Sequence, residues 1–158
     1  MVSKNIKEKS KLTKEEWREF TKSVWNLPDK RSNEHPAIFS NEIPYRLIKM
    51  FSFIGELVLD PFAGLGTTLE EARKLGRNSI GIEINRKYVE FMKKKLKQKV
   101  LDNSYFSFVL YGDSRLLPLK SKSIDLIVTS PPYWNKVKYD NDKKNLCNFD
   151  DYYEFVAN

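Results

Sequence analysis

Four oxygen-bearing side chains stand where apolar runs stop. Asp60 closes Leu57-Val58-Leu59 and is followed by Pro61-Phe62-Ala63-Gly64-Leu65-Gly66-Thr67. Glu83 closes Ser79-Ile80-Gly81-Ile82, Asp113 follows the run Ser107–Tyr111 and Gly112, and Ser130 opens Ser130-Pro131-Pro132-Tyr133-Trp134. Glycines at 64 and 66 let the main chain turn sharply and approach a ligand, with N–H groups at the following helix start free to meet it. Leu69 stands where a GxGxxG spacing needs its third glycine, which argues against a pyrophosphate site. A carboxylate at Asp60 repels phosphate yet suits an ammonium group or hydroxyls. Glu83 comes about twenty residues after the glycines, the spacing at which an acid meets ribose hydroxyls in a strand–helix–strand unit. A cofactor with an amino acid and a ribose but no phosphate, S-adenosylmethionine, fits this set. Farther on, Pro131 and Pro132 remove two backbone donors and fix the chain direction, leaving carbonyl oxygens to face a cleft.

These tips need elements to position them. Leu57–Asp60 reads as a strand, and Leu69, Ala72 and Leu75 form the apolar stripe of a helix ended by Gly76. Ser79–Glu83 reads as the second strand. Asn85 caps a long helix with Tyr88, Phe91, Met92 and Leu96 inward. Its late lysines, Lys93, Lys94, Lys95, Lys97 and Lys99, suit a solvated helix end, and a DNA-contacting patch is the competing reading. Ser107–Tyr111 is a third strand and Ile124–Thr129 a fourth, buried one. Upstream, Thr13-Lys14-Glu15-Glu16 is a capping box opening a helix with Trp17, Phe20 and Val24 at helical spacing. Ser40 or Asn41 caps another with Ile43, Leu47, Ile48 and Phe51 on one face. After the prolines, residues 135–145 form a polar, aperiodic loop, and Asp150 caps a helix carrying Tyr152, Tyr153, Phe155 and Val156. Strands alternating with helices make a parallel α/β sheet in the order three, two, one, four, with the site at the carboxyl ends of strands one and four.

The chain's 158 residues suit one domain, read as a basic flexible tail over 1–11 and a domain over 12–158. A net charge of +7 favours a polyanionic partner. Cys147 is the only cysteine, so no internal disulfide forms, and it reads as a surface thiol in a reducing cytoplasm. His35 is the only histidine, which argues against a histidine-based metal centre; a loop histidine and a cofactor contact are both open for it. The lysine-rich start lacks a signal-peptide core, no apolar run is long enough to span a membrane, and no internal repeat is evident.

DPFAGLGTT (60–68) and TSPPYW (129–134) resemble motifs I and IV of the DNA amino-methyltransferases, and HPAIFSNEIP (35–44) resembles their motif X. The resemblance covers roughly Leu12 to Asn158 and implies a Rossmann-like class I methyltransferase fold whose later strands and target-recognition region are missing. It implies S-adenosylmethionine as cofactor, held by Phe39 of motif X, by Asp60, Phe62, Ala63, Gly64, Gly66 and Thr67, by Glu83 on the ribose and by Asp113 near the adenine amine. Ser130, Pro131, Pro132 and Tyr133 would handle an exocyclic amine of an extruded DNA base, as in restriction–modification systems, with Trp134 extending the stacking platform or packing beneath it. Serine at the head of SPPY resembles enzymes acting on cytosine N4. Adenine N6, guanine N2 in RNA, a protein amide, or an inactive cofactor-binding subunit are the alternatives. With strand four an exposed apolar edge, association is expected, with a second polypeptide carrying the missing half or with itself.

Overall fold

The computed structural model describes residues 2–27, 40–98, 104–134, 145–149 and 151–157. Where a tail was expected, Lys4–Lys9 form helix α1, capped by Ser3, and the buried Ser10 hydroxyl accepts from the Ile54 amide at 3.0 Å. Helix α2, Lys14–Phe20, has the expected capping box: Thr13 Oγ1 accepts from the Glu16 amide and Glu16 Oε2 from the Thr13 amide. Its packing differs from the expected stripe. Phe20 is buried, Trp17 is exposed, and Val24 lies beyond the helix end, 71% exposed. The guanidinium of Arg46 lies over both Phe20 and Trp25, which fastens α2 to the next helix.

Helix α3 spans Glu42–Phe51, with Pro44 in the first turn, where a missing N–H breaks no helical bond. Ile48 is fully buried, but Phe51, expected on the same face, is exposed at the helix's last position. Neither candidate cap closes the helix as a side-chain cap should: Asn41 makes no capping bond, and Ser40 Oγ only accepts from the Glu42 amide at 3.4 Å.

Strand β1 is Leu57–Asp60, helix α4 Thr67–Lys74, strand β2 Asn78–Glu83, helix α5 Arg86–Gln98, strand β3 Ser107–Tyr111 and strand β4 Leu126–Ile127. All strand pairs are parallel, as the alternation of elements predicts, and the order is the expected β3-β2-β1-β4. Right-handed crossovers put α4 and α5 on one face and send the β3-to-β4 connection over the other. One core cluster gathers Ile48, Val58, Ala72 and Val128, and a second gathers Ala63, Leu69, Met92 and Leu96 with Val109 against it. On α5 the deepest residues are Met92 and Val89; Tyr88 and Phe91 are only half-buried.

The opposite face is thinly covered. Its crossover, 112–125, contains no helix, and Phe106, Phe108, Leu110 and Ile127 stay exposed. Parallel sheets ordinarily need both faces covered. The fourth strand is accordingly two paired residues rather than the buried six expected, with Ile127 57% exposed. Cys147 is buried, not a surface thiol, because it sits in a 3-10 turn, Leu146–Asn148, where its amide donates to Asn145 Oδ1. The last helix, α6 at Tyr152–Ala157, is capped by Asp151, which accepts from the Tyr153 and Glu154 amides; Asp150 lies outside the described residues. Among the described residues no helix is long and apolar enough to cross a membrane.

Candidate functional site

The glycine turn after β1 is organised by Glu83. Gly64 and Gly66 adopt φ of +52° and +77°, the left-handed region that favours glycine. The Gly64 amide donates to Glu83 Oε2 at 2.8 Å, and the Asn85 amide donates to Oε1 at 2.8 Å. Both carboxylate oxygens therefore hold backbone yet keep spare lone pairs toward the cleft. Burial pushes the Glu83 carboxyl above its ordinary range, with the nearby Asp60 charge adding to the rise and the Asn85 and Gly64 amides opposing it. Gly66 precedes α4 without a side-chain cap, so the helix's first N–H groups have no side-chain acceptor there.

Leu69, in place of a third glycine, is fully buried, and the room it needs comes from the strand. A Cβ at Gly81 would stand 2.8 Å from Leu69 Cδ1 and 2.9 Å from Ala63 Cβ. Close helix–strand contact is kept, with the glycine moved from α4 to β2.

Asp60 is 1% exposed. Its Oδ1 accepts from the Phe62 amide at 3.1 Å and from Thr129 Oγ1 at 2.7 Å, so the tips of β1 and β4 meet through it. Burial raises its carboxyl's pKa, while the Thr68 and Thr129 hydroxyls and the Phe62 amide pull it down. Ser130 follows directly. Pro131 and Tyr133 are exposed, and Pro132 is half-buried.

A small cavity of about 30 Å³ joins these tips, lined by Pro61, Phe62, Glu83, Asp113 and Pro132 among others. Asp113 also pairs with the Arg115 guanidinium at 2.6 Å. Ala63 is buried, and Phe62, Gly64 and Thr67 are half-buried. Of the expected site residues, the structure thus brings Phe62, Glu83, Asp113 and Pro132 to one hollow and seats Asp60 beneath it. Phe39 and His35 lie outside the described residues, as does the expected loop up to residue 144.

Four residues of the site were not anticipated. The Ser114 hydroxyl donates to the Pro61 carbonyl, Thr129 joins the two strand ends, and Asn145 and Leu146 wall the cavity mouth. Only Thr129 had a signal, a hydroxyl at the end of an apolar run. Trp134 packs: its indole N–H donates to the Phe149 carbonyl at 2.8 Å, and its ring lies 5.2 Å from that of Tyr152.

The comparisons converge on one kind of protein. A family model described as DNA methylase matches residues 2–94, and one described as methyltransferase domain matches 59–135. The type II methyltransferase M.MjaI of Methanocaldococcus jannaschii is 44% identical over 98 residues, covering 57% of this chain and 32% of that protein. M.BglI of Bacillus subtilis, also a type II methyltransferase, is 40% identical over 92 residues, 57% of this chain and 26% of its own. A structure of TTHA0409 from Thermus thermophilus, a candidate DNA modification methylase complexed with S-adenosyl-L-methionine, aligns with a TM-score of 0.59 at 37% identity. That alignment covers 71% of this chain and 43% of TTHA0409. The chain therefore spans a third or less of the curated relatives it matches, 32% and 26% of their lengths.

Proposed function

The chain belongs to the DNA methylase family, and from that premise we propose that its cleft binds S-adenosylmethionine and presents it to an exocyclic amine of a DNA base, cytosine N4 in the first instance. The observation that carries the reading is the meeting of the β1 and β4 tips, which sets the SPPY segment beside a hollow lined by Glu83 and Asp113. The donor set fits the cofactor: carboxylates at two strand ends for hydroxyls and an amine, and a glycine turn for close approach. The space does not yet fit it. Ligand pockets run to about 300 Å³ and more, so the Asn145–Leu146 wall moves outward on binding.

In this reading Glu83 accepts from the ribose hydroxyls and Asp113 from the adenine amine. Phe62, Ala63, Gly64, Gly66 and Thr67 form the cradle, Asp60 supports it from below, and Phe39 completes the set. When bound, the cofactor supplies an electrophilic methyl group on a sulfonium centre. An exocyclic amine is a poor nucleophile because its lone pair is delocalised into the ring. The Ser130 hydroxyl and the Pro131 carbonyl accept its N–H groups, drawing the lone pair out of the ring, and Pro132 fixes the direction of that carbonyl. Orientation supplies much of the rate, and no strong base is required.

Tyr133, exposed at the rim, stacks on the extruded base. An aromatic platform returns about 1–3 kcal/mol per base. Tyr133→Ala is therefore expected to lower methyl transfer by roughly tenfold to a hundredfold while leaving cofactor affinity within about twofold. Steady-state kinetics beside calorimetry check this, and an undiminished rate removes the stacking role. The assignment as a whole is tested by incubating the chain with methyl-labelled cofactor and duplex DNA and identifying the labelled nucleoside. N4-methylcytosine is expected. N6-methyladenine would replace cytosine as the target, and cofactor binding without label in DNA would leave a cofactor-binding subunit.

The exposed apolar residues on this face of the sheet favour a covering layer. We place its contact at the β4 edge and the Phe106–Phe108–Leu110 face, where a second polypeptide supplying further strands, or a second copy, would cover apolar surface. Sedimentation of the chain alone reads the second-copy arm. Concentration-dependent dimers abolished by Ile127→Lys support it, and a monomer at all concentrations rules out the second copy.

A further inference from the structure

A carboxylate at Asp60 suits an ammonium group or hydroxyls of a cofactor, and in the structure it also has a role within the protein. It is 1% exposed and does not line the hollow, whereas its neighbours Pro61 and Phe62 do. One oxygen, Oδ1, serves both strand tips: the Phe62 amide at 3.1 Å and the Thr129 hydroxyl at 2.7 Å. Strand pairing between β1 and β4 covers Val58–Leu126 and Leu59–Ile127, extended at its start by the Asp125 amide on the Leu57 carbonyl at 3.0 Å and at the tips by the Val128 amide on the Leu59 carbonyl at 3.0 Å. Beyond that bond, the two tips are linked by the side-chain bridge. It lies one residue before Ser130 and one before Pro61.

We propose that Thr129 and Asp60 form a brace that holds the cofactor turn and the SPPY segment in one fixed relation, with Thr129 a positioning residue for both walls of the cleft. The inference rests on the cofactor reading of that cleft and adds a residue to it. A two-stranded contact of two paired residues is a weak clamp, because a terminal strand pair can open without disturbing the core. A hydrogen bond buried beneath the tips, out of reach of water, fixes geometry as well as energy. The rest of Thr129 is exposed, so replacing it by the isosteric valine deletes the hydroxyl without opening a core cavity.

The test compares Thr129→Val, Thr129→Ser and Asp60→Asn, alone and with Thr129→Val added. Amide hydrogen exchange reads the brace directly. In Thr129→Val the Phe62 and Val128 amides are expected to exchange about tenfold faster, the equivalent of one lost hydrogen bond, and Thr129→Ser is expected to restore wild-type protection. Calorimetry with S-adenosylmethionine, well below the melting temperature, is expected to show affinity lowered about tenfold in Thr129→Val and recovered in Thr129→Ser. Asp60→Asn and Thr129→Val are expected to be non-additive, since they break one bridge. Unchanged exchange at both amides, or additive losses of affinity, overturns the brace and returns Asp60 to a direct contact. If the wild-type chain binds no cofactor, the reading of the cleft fails, while the exchange experiment still decides the brace.

Discussion

Glu83→Ala is expected to lower the affinity for S-adenosylmethionine by about a hundredfold. The carboxylate has two tasks in the proposed site, receiving ribose hydroxyls and holding the Gly64 amide at 2.8 Å so that the turn keeps its shape. Hydrogen bonds to a charged group contribute about 1.5–3 kcal/mol each, and each 1.4 kcal/mol is a factor of ten in affinity. The loss should depend on pH. Burial raises the Glu83 carboxyl above the ordinary glutamate range, so wild-type affinity is expected to fall on acidification at a higher pH than for a free glutamate. In Glu83→Ala that acid limb disappears. The stability of the free protein moves the other way. A carboxyl whose folded pKa lies above its unfolded value binds its proton more tightly in the folded state. Stability therefore declines as pH rises from the unfolded value through the raised one. Asp60, also raised, adds to this slope. Calorimetric titration and thermal melts across mildly acidic pH measure both trends, and a pH-independent wild-type affinity would contradict the role of Glu83.

Gly81→Val is expected to produce a large loss of stability. Even a lone Cβ at this position would press to 2.8 Å on Leu69 and 2.9 Å on Ala63, closer than side chains tolerate, and the two further methyl groups have nowhere to go between β2 and α4. Leu69 is fully buried and cannot swing into solvent. Overpacking typically costs about 1–3 kcal/mol, and a β-branched side chain wedged against a helix should reach or exceed the upper end. Chemical denaturation reads the effect. Pairing Gly81→Val with Leu69→Ala should recover part of the loss, and no recovery would show that the contact is not the cause.

How much of this was legible depends on where each signal resides. The strand tips could be read because a carboxylate after an apolar run is unusual unless the strand ends at a site, and Asp60, Glu83 and Asp113 all obey that pattern. Alternation gave a parallel sheet, and the order came from the common doubly-wound pattern with its switch between strands one and four. Gly81 looked like any strand glycine, since its reason is a side chain on another element, Leu69. The fourth strand read as buried from its apolar run, but burial needs a covering layer, and the crossover of 112–125 supplies no helix. Ile127 is exposed for that reason and not for anything in its own neighbourhood. Cys147 and the wall at Asn145–Leu146 are placed by a turn closed through an asparagine side chain, a local bond that composition does not announce. Val24 and Phe51 were misplaced because helical spacing says nothing about where a helix stops.

The central claim is that the ends of β1 and β4 form one site, in which a methyl donor lies beside the SPPY segment. A crystal structure of the chain with S-adenosylmethionine tests it most directly. The account predicts the ribose on the Glu83 carboxylate, the Asn145–Leu146 wall displaced, and the sulfonium facing Ser130 and Pro131 across a gap that admits one amine, with reacting atoms about 3–3.5 Å apart once a base is present. A cofactor bound elsewhere on the chain, or bound with its sulfonium turned away from Ser130, would contradict it.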